Sequence, residues 1–185
     1  MRLFTALPLP QSMREHLSTL SQTSPFKARW EPLENIHLTL RFMGEVNEDT
    51  YTRYVTALKT VNAPAFSLVL HGVGVFPSES NRPPRVLLVR VVPCPELTDL
   101  YQAVSSVLEA NGLARDAYDS YTPHVTLARF KEEVDAETLS HVLMQHASFQ
   151  TEPLLIEAFG LYQSVHTAQG SRYQERERFT LHQGA

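Results

Sequence analysis

The amino-acid sequence predicts an α+β fold with two pseudo-symmetric lobes of mostly antiparallel sheet, helices packed outside and a central cleft. Strand-like runs and amphipathic helical segments alternate in the order β-α-β-α-β-β-α-β-α-β-β. A segment of the first half recurs in the second half, as expected of a duplicated βα unit. No linker or low-complexity segment divides the chain. We therefore expect one domain, residues 1–185, made of two interleaved lobes.

The first half of the chain is predicted to contain three extended segments and two helices. They are a strand at 2–7, a helix from Pro10, extended segments at 28–30 and 36–42, and a helix from Asn47 or Asp49 to about Val61. Proline suits the first helical turn, and Met13, Leu17 and Leu20 then fall on one face of the first helix. Asparagine and aspartate are favoured N-caps, which places the start of the second helix.

The rest of the chain is predicted to contain five strands and two helices. They are strands at 66–75 and 85–92, a helix at 95–111, a strand at 122–130, a helix at 135–147, and strands at 154–165 and 172–181. The helix at 95–111 has a continuous apolar stripe and ends at Gly112. The turn-rich segments 78–84 (SESNRPP) and 166–170 are predicted to be loops.

Composition excludes several classes of protein. With 185 residues, 43% hydrophobic and 19% charged, the chain is typical of globular proteins and not of disordered ones. No run approaches the roughly 18 apolar residues of a membrane span, and the start lacks the features of a signal peptide. We therefore expect no membrane partner and a cytoplasmic location. Cys94 is the only cysteine, which excludes an intrachain disulfide and a cysteine-based metal cluster.

An internal repeat is the most informative feature of the sequence. Residues 36–46 read IHLTLRFMGEV, and residues 123–134 read PHVTLARFKEEV. Both contain His-x-Thr-Leu, then Arg-Phe, then Glu-Val, with one residue inserted in the second copy. Each copy precedes a helix that opens with acidic residues. The repeat keeps a polar histidine and threonine inside apolar strands, which indicates a role for them.

The repeated residues have a specific chemical use. In a strand, His37 and Thr39 point to one face, and the same holds for His124 and Thr126. If the copies pack around a pseudo-twofold axis, all four side chains meet in one cleft. Displacement at phosphorus needs a base on the incoming oxygen and an acid on the leaving one, and histidine can serve as either. Threonine hydroxyls can donate hydrogen bonds to the non-bridging oxygens. A single such motif is usually structural, but two copies 87 positions apart favour a site.

Motifs of other chemistries are missing from the sequence. No His/Asp/Glu set has the spacing of a strong zinc motif, and no Gly-x4-Gly-Lys-[Ser/Thr] loop occurs. A Gly-x-Ser-x-Gly nucleophile motif is missing too. We therefore expect no metal and no cofactor.

Three stretches carry a resemblance to a known family. Residues 30–46 (WEPLENIHLTLRFMGEV), 121–130 (YTPHVTLARF) and 161–181 resemble the two-histidine phosphoesterases. Among these the chain resembles the bacterial and archaeal RNA 2′,3′-cyclic phosphodiesterases, also called 2′-5′ RNA ligases. The starting segment RLFTALPLP and the segment RPPRVLLVRV fit the same family, so the resemblance spans nearly the whole chain.

The resemblance implies a role for each site residue. His37 is expected to donate a proton to the leaving oxygen, and His124 to accept one from the attacking water. Thr39 and Thr126 are expected to hold the phosphate, and Arg129 matches a basic position that contacts it. The family's usual product is a 2′-phosphate, so O3′ is the leaving group, and no metal is expected.

Some residues depart from the family pattern. Many relatives have a tryptophan in the strand where this chain reads VLLVRV. Near the C-terminus QERERF replaces a more apolar stretch, and Arg172, Arg176 and Arg178 are predicted to share one strand face. That face is either a basic rim for RNA or a solvated surface, and we favour the solvated surface.

The lysines exclude ATP-dependent ligation. Such ligases form an adenylate on a lysine, typically within Lys-x-Asp-Gly. None of Lys27, Lys59 and Lys131 has that context. Any ligation is therefore expected to be the reversal of phosphodiester chemistry, without ATP.

Three functional hypotheses follow from these observations. The first is a monomeric enzyme that hydrolyses RNA ends with a 2′,3′-cyclic phosphate, or small cyclic nucleotides or 2′-5′-linked oligonucleotides. The second is a nucleotide- or RNA-end-binding module without significant turnover. The third, a structural protein with accidental motifs, is the weakest because the repeat preserves polar and apolar positions alike.

Overall fold

The computed structural model describes residues 1–22, 24–78, 82–113, 121–168 and 170–183. These ranges contain strands β1 (Arg2–Pro8), β2 (Ala28–Trp30), β3 (His37–Glu45), β4 (Phe66–Leu68), β5 (Leu70–Phe76), β6 (Val86–Val91), β7 (His124–Phe130), β8 (Leu154–Ile156), β9 (Ala158–Thr167) and β10 (Gly170–Thr180). The helices are α1 (Gln11–Ser18), α2 (Glu48–Leu58), α3 (Pro95–Ala110) and α4 (Ala136–Gln145). Residues 79–81 of the predicted 78–84 loop, and residue 169 of the predicted 166–170 turn, lie outside the described residues.

One large antiparallel sheet runs through both lobes. Its strands follow the order β10-β9-β1-β3-β7-β6-β5, and β2 pairs with β7 beside this path. A second sheet consists of β4 and β8 alone. The predicted α+β class with mostly antiparallel strands is confirmed.

Two of the predicted strands are divided. The run at 66–75 breaks at Val69 into β4 and β5, and the run at 154–165 breaks at Glu157 into β8 and β9. The reason is a change of partner, because β4 and β8 pair with each other whereas β5 and β9 join opposite halves of the large sheet. Such partners are distant in sequence, so local residue preferences do not reveal the breaks.

The duplication is visible in the order of the strands. From the middle outward, β3, β1 and β9 on one side correspond to β7, β6 and β5 on the other. Each repeat thus places its last strand in the other lobe, which interleaves the two lobes. The helix after each central strand also begins alike: the Asn47 side chain caps α2 by accepting from the Thr50 amide at 2.9 Å, and Asp135 caps α4 by accepting from the Thr138 amide at 2.8 Å.

The two central strands, β3 and β7, pair through one pair of residues. Leu38 of β3 lies opposite Val125 of β7, and both side chains are fully buried. Their neighbours along each strand point to the other face of the sheet, where the cleft lies.

The apolar core lies on the face of the sheet opposite the cleft. Leu38 and Leu40 of β3 and Leu127 of β7 are almost completely buried there. The helix α3 contributes its apolar stripe to the same core through Leu97, Leu100, Val104 and Leu108. Among the described residues, no helix is both long enough and apolar enough to cross a membrane.

Candidate active site

The four repeated polar residues lie together at the junction of the lobes. Each His-x-Thr segment brackets a buried junction residue, so His37 and Thr39 flank Leu38 on the cleft face. Because β3 and β7 are antiparallel, His37 lies toward Thr126 and Thr39 lies toward His124. The predicted convergence of the two strands is therefore what the fold produces.

His37 is held by a backbone carbonyl. Its Nδ1 lies 2.6 Å from the carbonyl oxygen of Asn35, which can only accept a hydrogen bond. The ring proton of the neutral imidazole therefore sits on Nδ1. The other nitrogen, Nε2, carries no proton in this tautomer and accepts a hydrogen bond from the Thr39 hydroxyl at 3.0 Å.

His124 is held in the same way. Its Nδ1 donates to the carbonyl oxygen of Thr122 at 2.8 Å, again two residues before the histidine. Nε2 is thus the nitrogen available for chemistry in both rings. Both contacts are made to backbone carbonyls, so they do not depend on which side chain stands two residues before the histidine. The sequence therefore contains no signal for them.

Aromatic rings enclose His37. The centroid of the Phe4 ring lies 5.0 Å from that of His37, and Tyr173 of β10 meets the imidazole edge-on at 5.1 Å. The pKa of His37 is lowered to about 4, mainly by burial; the hydrogen bond to the Asn35 carbonyl opposes this shift and the nearby His124 adds to it. His37 is therefore neutral at neutral pH when the cleft is empty.

Asn35 fixes the segment that leads into His37. Its side chain is buried and its amide nitrogen Nδ2 donates to the carbonyl oxygen of Ser171 at 2.7 Å. The contact ties the turn before β3 to β10, the strand that also supplies Tyr173. Asn35 was not among the residues predicted from the sequence, since a lone asparagine before a strand resembles any turn residue.

A β-bulge follows the His-x-Thr segment in both strands. Leu40 is the extra residue in β3, and Leu127 is the extra residue in β7. A bulge redirects the side chains that come after it. As a result Phe42, opposite Phe4, and Arg129, opposite Val86, take equivalent positions on the cleft face.

This geometry corrects the sequence alignment of the repeat. The sequence equated Arg41-Phe42 with Arg129-Phe130 across a one-residue insertion. The pairing register instead makes Phe42 the counterpart of Arg129. Arg41 is only 2% exposed, whereas Arg129 is exposed, so the two arginines differ in environment as well as position.

Arg129 lies at the margin of the cleft beside an acidic residue. Its Nε is 3.6 Å from a carboxylate oxygen of Glu31, and Arg29 of β2 lies directly opposite it. Burial raises the pKa of the Glu31 carboxyl, and the charges of Arg129 and Arg29 oppose that rise. Part of the Arg129 charge is thus already balanced within the protein.

Tyr121 connects the two His-x-Thr strands. Its hydroxyl donates to the carbonyl oxygen of Thr39 at 3.2 Å, although it belongs to the segment before β7. Its ring stacks on Tyr101 of α3, with centroids 4.1 Å apart. The sequence indicated neither contact, because both join residues distant along the chain.

The three arginines of β10 do not share a face. A bulge at Arg176 shifts the register, so Arg178 lies opposite Gly160, whereas Arg172 lies opposite Val165. Arg178 is held by Glu175 through two bonds of 2.9 Å. The predicted common face is therefore wrong.

The described residues contain no group of three or more histidine, cysteine, aspartate or glutamate side chains that could hold a metal ion. The reactive groups that the cleft does present are two imidazole nitrogens and two hydroxyls.

Comparison with known proteins agrees with this geometry. A family model described as LigT-like phosphoesterase matches residues 7–88 and 91–173. An RNA 2′,3′-cyclic phosphodiesterase of Archaeoglobus fulgidus is 33% identical over 97% of this chain and 99% of its own length. One of Thermotoga maritima is 27% identical over 94% of this chain and 92% of its own length.

Solved structures show the same fold. A protein of Thermus thermophilus superposes with a TM-score of 0.79 at 26% identity and covers 100% of both chains. Escherichia coli LigT complexed with 3′-AMP superposes with a TM-score of 0.79 at 26% identity over 98% of each chain. With two matching halves, full-length relatives and the paired histidine strands, the chain belongs to the LigT-like phosphoesterase family of the two-histidine phosphoesterase superfamily.

Proposed function

We propose that this protein hydrolyses RNA ends that carry a 2′,3′-cyclic phosphate and leaves a 2′-phosphate, with the two histidines as acid and base and without a metal. The observation that carries the proposal is the matched tautomer of His37 and His124. Each ring donates through Nδ1 to a backbone carbonyl and keeps Nε2 for the substrate. A water on one side of the phosphorus and O3′ on the other would each meet one imidazole.

The reaction balances with these groups alone. Nε2 of His124 accepts a proton from water as the water oxygen bonds to phosphorus. The P–O3′ bond breaks, and Nε2 of His37 supplies the proton that O3′ needs. Thr39 and Thr126 donate hydrogen bonds to the non-bridging oxygens, where negative charge increases in the transition state. A second proton exchange with solvent returns both rings to their starting states.

The acid role of His37 requires it to be charged in the complex. Burial keeps the pKa of His37 near 4 in the empty cleft. A cyclic phosphate diester carries one negative charge, and an anion beside a buried imidazole raises its pKa. Substrate binding itself would therefore protonate His37 and prepare it to donate.

The relatives support a nucleotide substrate. Curated relatives along nearly the full chain are named RNA 2′,3′-cyclic phosphodiesterases. Solved structures of Escherichia coli LigT hold 3′-AMP, ATP and NADP+. RNA ends and small cyclic nucleotides are accordingly the substrates that we propose for this chain, acting as a monomer.

Ligation would be the same chemistry in reverse. If the 5′-hydroxyl of a second RNA replaces water, attack on the cyclic phosphate with loss of O3′ gives a 2′-5′ linkage. The bond energy of the cyclic ester drives the step, so no ATP is required.

The direct test uses purified protein and an oligoribonucleotide ending in 2′,3′-cyclic phosphate, in EDTA and without ATP. The terminal phosphate is then mapped. The expected product is a 2′-phosphate. A 3′-phosphate would reverse the assigned leaving group, and binding without turnover would favour the RNA-end-binding module instead.

A further inference from the structure

A second arginine lies on the cleft face, beside the catalytic strand. Arg90 of β6 is paired directly opposite His124 of β7, and residues paired in this way project from the same face of a sheet. The strand segment VLLVRV is apolar except for this arginine. A single charged residue in an otherwise apolar strand is the signal in the sequence that could have identified Arg90.

The guanidinium of Arg90 is held in a defined place. It lies across Gly74 of β5, where an added Cβ would come within 2.7 Å of the guanidinium carbon. One nitrogen, Nη1, donates to the carbonyl oxygen of Val73 at 2.7 Å. Guanidinium carries five N–H donors, so most of them remain for a ligand.

No carboxylate in the described ranges forms an ion pair with Arg90. Arg129 faces Glu31, and Arg178 is bound by Glu175. Arg90 is exposed and forms no ion pair with any residue in the described ranges. It is therefore a cation on the cleft face that is available for an anion.

The distance between the Arg90 guanidinium and the strand of His124 indicates which anion the guanidinium binds. Neighbouring strands lie about 4.8 Å apart, so a guanidinium over β5 is roughly 10 Å from the line of β7. A phosphorus held between the two imidazoles is out of its direct reach. The next phosphate along the RNA, on O5′ of the terminal nucleoside, is one nucleotide step away.

We propose that Arg90 binds the 5′-phosphate of the nucleotide that carries the cyclic end, and so selects RNA ends over free cyclic nucleosides. This inference rests on the proposed function and adds a specificity-determining contact to it. Arginine suits the task because its planar fork can form two hydrogen bonds to phosphate oxygens at once.

The test compares adenosine 2′,3′-cyclic phosphate with and without a 5′-phosphate. Wild-type protein should have the higher kcat/KM for the 5′-phosphorylated compound. Arg90→Gln should reduce that preference about 10-fold, the loss expected for a charge-assisted hydrogen bond. Arg90→Lys should retain part of it. Gly74→Ala should reduce it too, because the new methyl group displaces the guanidinium without removing its charge.

Arg172→Gln is the matched control. Arg172 is exposed on the opposite face of the sheet, so its replacement removes the same charge away from the cleft. It should leave the preference unchanged. An equal loss by Arg90→Gln on both compounds, or no loss on either, would overturn the inference and leave Arg90 as a structural contact.

A binding measurement separates this inference from the proposed function. If the wild-type protein turns over neither compound, the proposed hydrolysis fails, but the affinities for adenosine 2′-phosphate and adenosine 2′,5′-bisphosphate can still be compared by calorimetry. Arg90→Gln should weaken the bisphosphate selectively. Equal affinities of the wild-type protein for both ligands would reject the Arg90 contact on its own.

Discussion

The two halves of the cleft have the same backbone plan and different surroundings. On one side His37 lies between the rings of Phe4 and Tyr173, and its pKa is lowered to about 4. On the other side His124 lies opposite the exposed Arg90. Both imidazoles keep the contact to the carbonyl two residues before.

The difference shows how a duplicated unit can place the same side chain in two different environments. The repeated backbone gives both imidazoles the same Nδ1 contact, whereas the side chains around the two rings differ. Aromatic packing buries His37 and lowers its pKa, whereas an exposed arginine lies opposite His124.

The largest expected effect comes from removing either ring. His37→Ala and His124→Ala should each lower turnover about 10²–10⁴-fold, the usual contribution of a positioned acid or base. Both variants should fold, as shown by circular dichroism, because the rings lie in the cleft. Wild-type activity in either variant would contradict the site.

A sulfur substrate distinguishes the two roles. When sulfur replaces O3′, the leaving thiolate needs no proton, so the acid becomes dispensable. His37→Ala should regain most of its activity on this compound, while His124→Ala should not. The reverse pattern would exchange the acid and the base.

Loosening the segment that holds His37 should lower kcat more than a change in the segment that holds His124. Asn35→Ala removes the bond to Ser171 and loosens the segment that orients His37, so kcat should fall about 10-fold or more, as for other residues that orient a catalytic group. In the other half, Thr122→Ala keeps the carbonyl that holds His124 and removes only an exposed side chain, so its effect should be smaller. Rate measurements at saturating substrate compare the two, and an equal loss would mean that the halves are supported alike.

Arg129 should contribute less than Asn35. It is exposed, and Glu31 already balances part of its charge. Arg129→Gln should raise KM by less than about 10-fold with little change in kcat. Glu31→Gln should have the opposite effect on KM because it frees the guanidinium. A large fall in kcat for Arg129→Gln would place this arginine at the reacting phosphate.

The last expected effect is on the stability of the fold and not on catalysis. The pKa of His37 is about 4 in the folded protein and near 6.5 in the unfolded chain, so the unfolded chain binds more protons between these pH values. The free energy of unfolding should therefore fall as the pH drops from about 6.5 toward 4. Urea unfolding at both pH values should show this loss in the wild-type protein and in His124→Ala but less of it in His37→Ala. Equal losses in all three would show that His37 is not protected from protonation.

The sequence predicted the two His-x-Thr strands because the pattern that marks them is local. Alternation along a strand puts His37 and Thr39 on one face whatever the strand pairs with, and the same holds for His124 and Thr126. The repeat then supplied the only long-range information, that the two strands are equivalent. These two facts were sufficient to predict that the four side chains converge.

The predictions from the sequence were wrong where strand register decides which face of the sheet a side chain occupies. Leu127 resembles any apolar strand residue, yet as a bulge it turns Arg129 toward the cleft and makes it the counterpart of Phe42. The bulge at Arg176 separates Arg172 and Arg178 in the same way. A one-residue change of register exchanges the faces of a strand, and no local pattern marks where it occurs.

What the sequence determined by itself was the α+β class, the helices with their caps, and two strands bearing histidine and threonine toward a common cleft. Only the tertiary structure decided which nitrogen of each ring is held by a backbone carbonyl, how strongly burial lowers the pKa of His37, and where the guanidinium of Arg90 lies. Periodicity and capping act over a few residues and can be read along the chain. Desolvation, cross-strand pairing and contacts such as Asn35 to Ser171 depend on residues that only folding brings together.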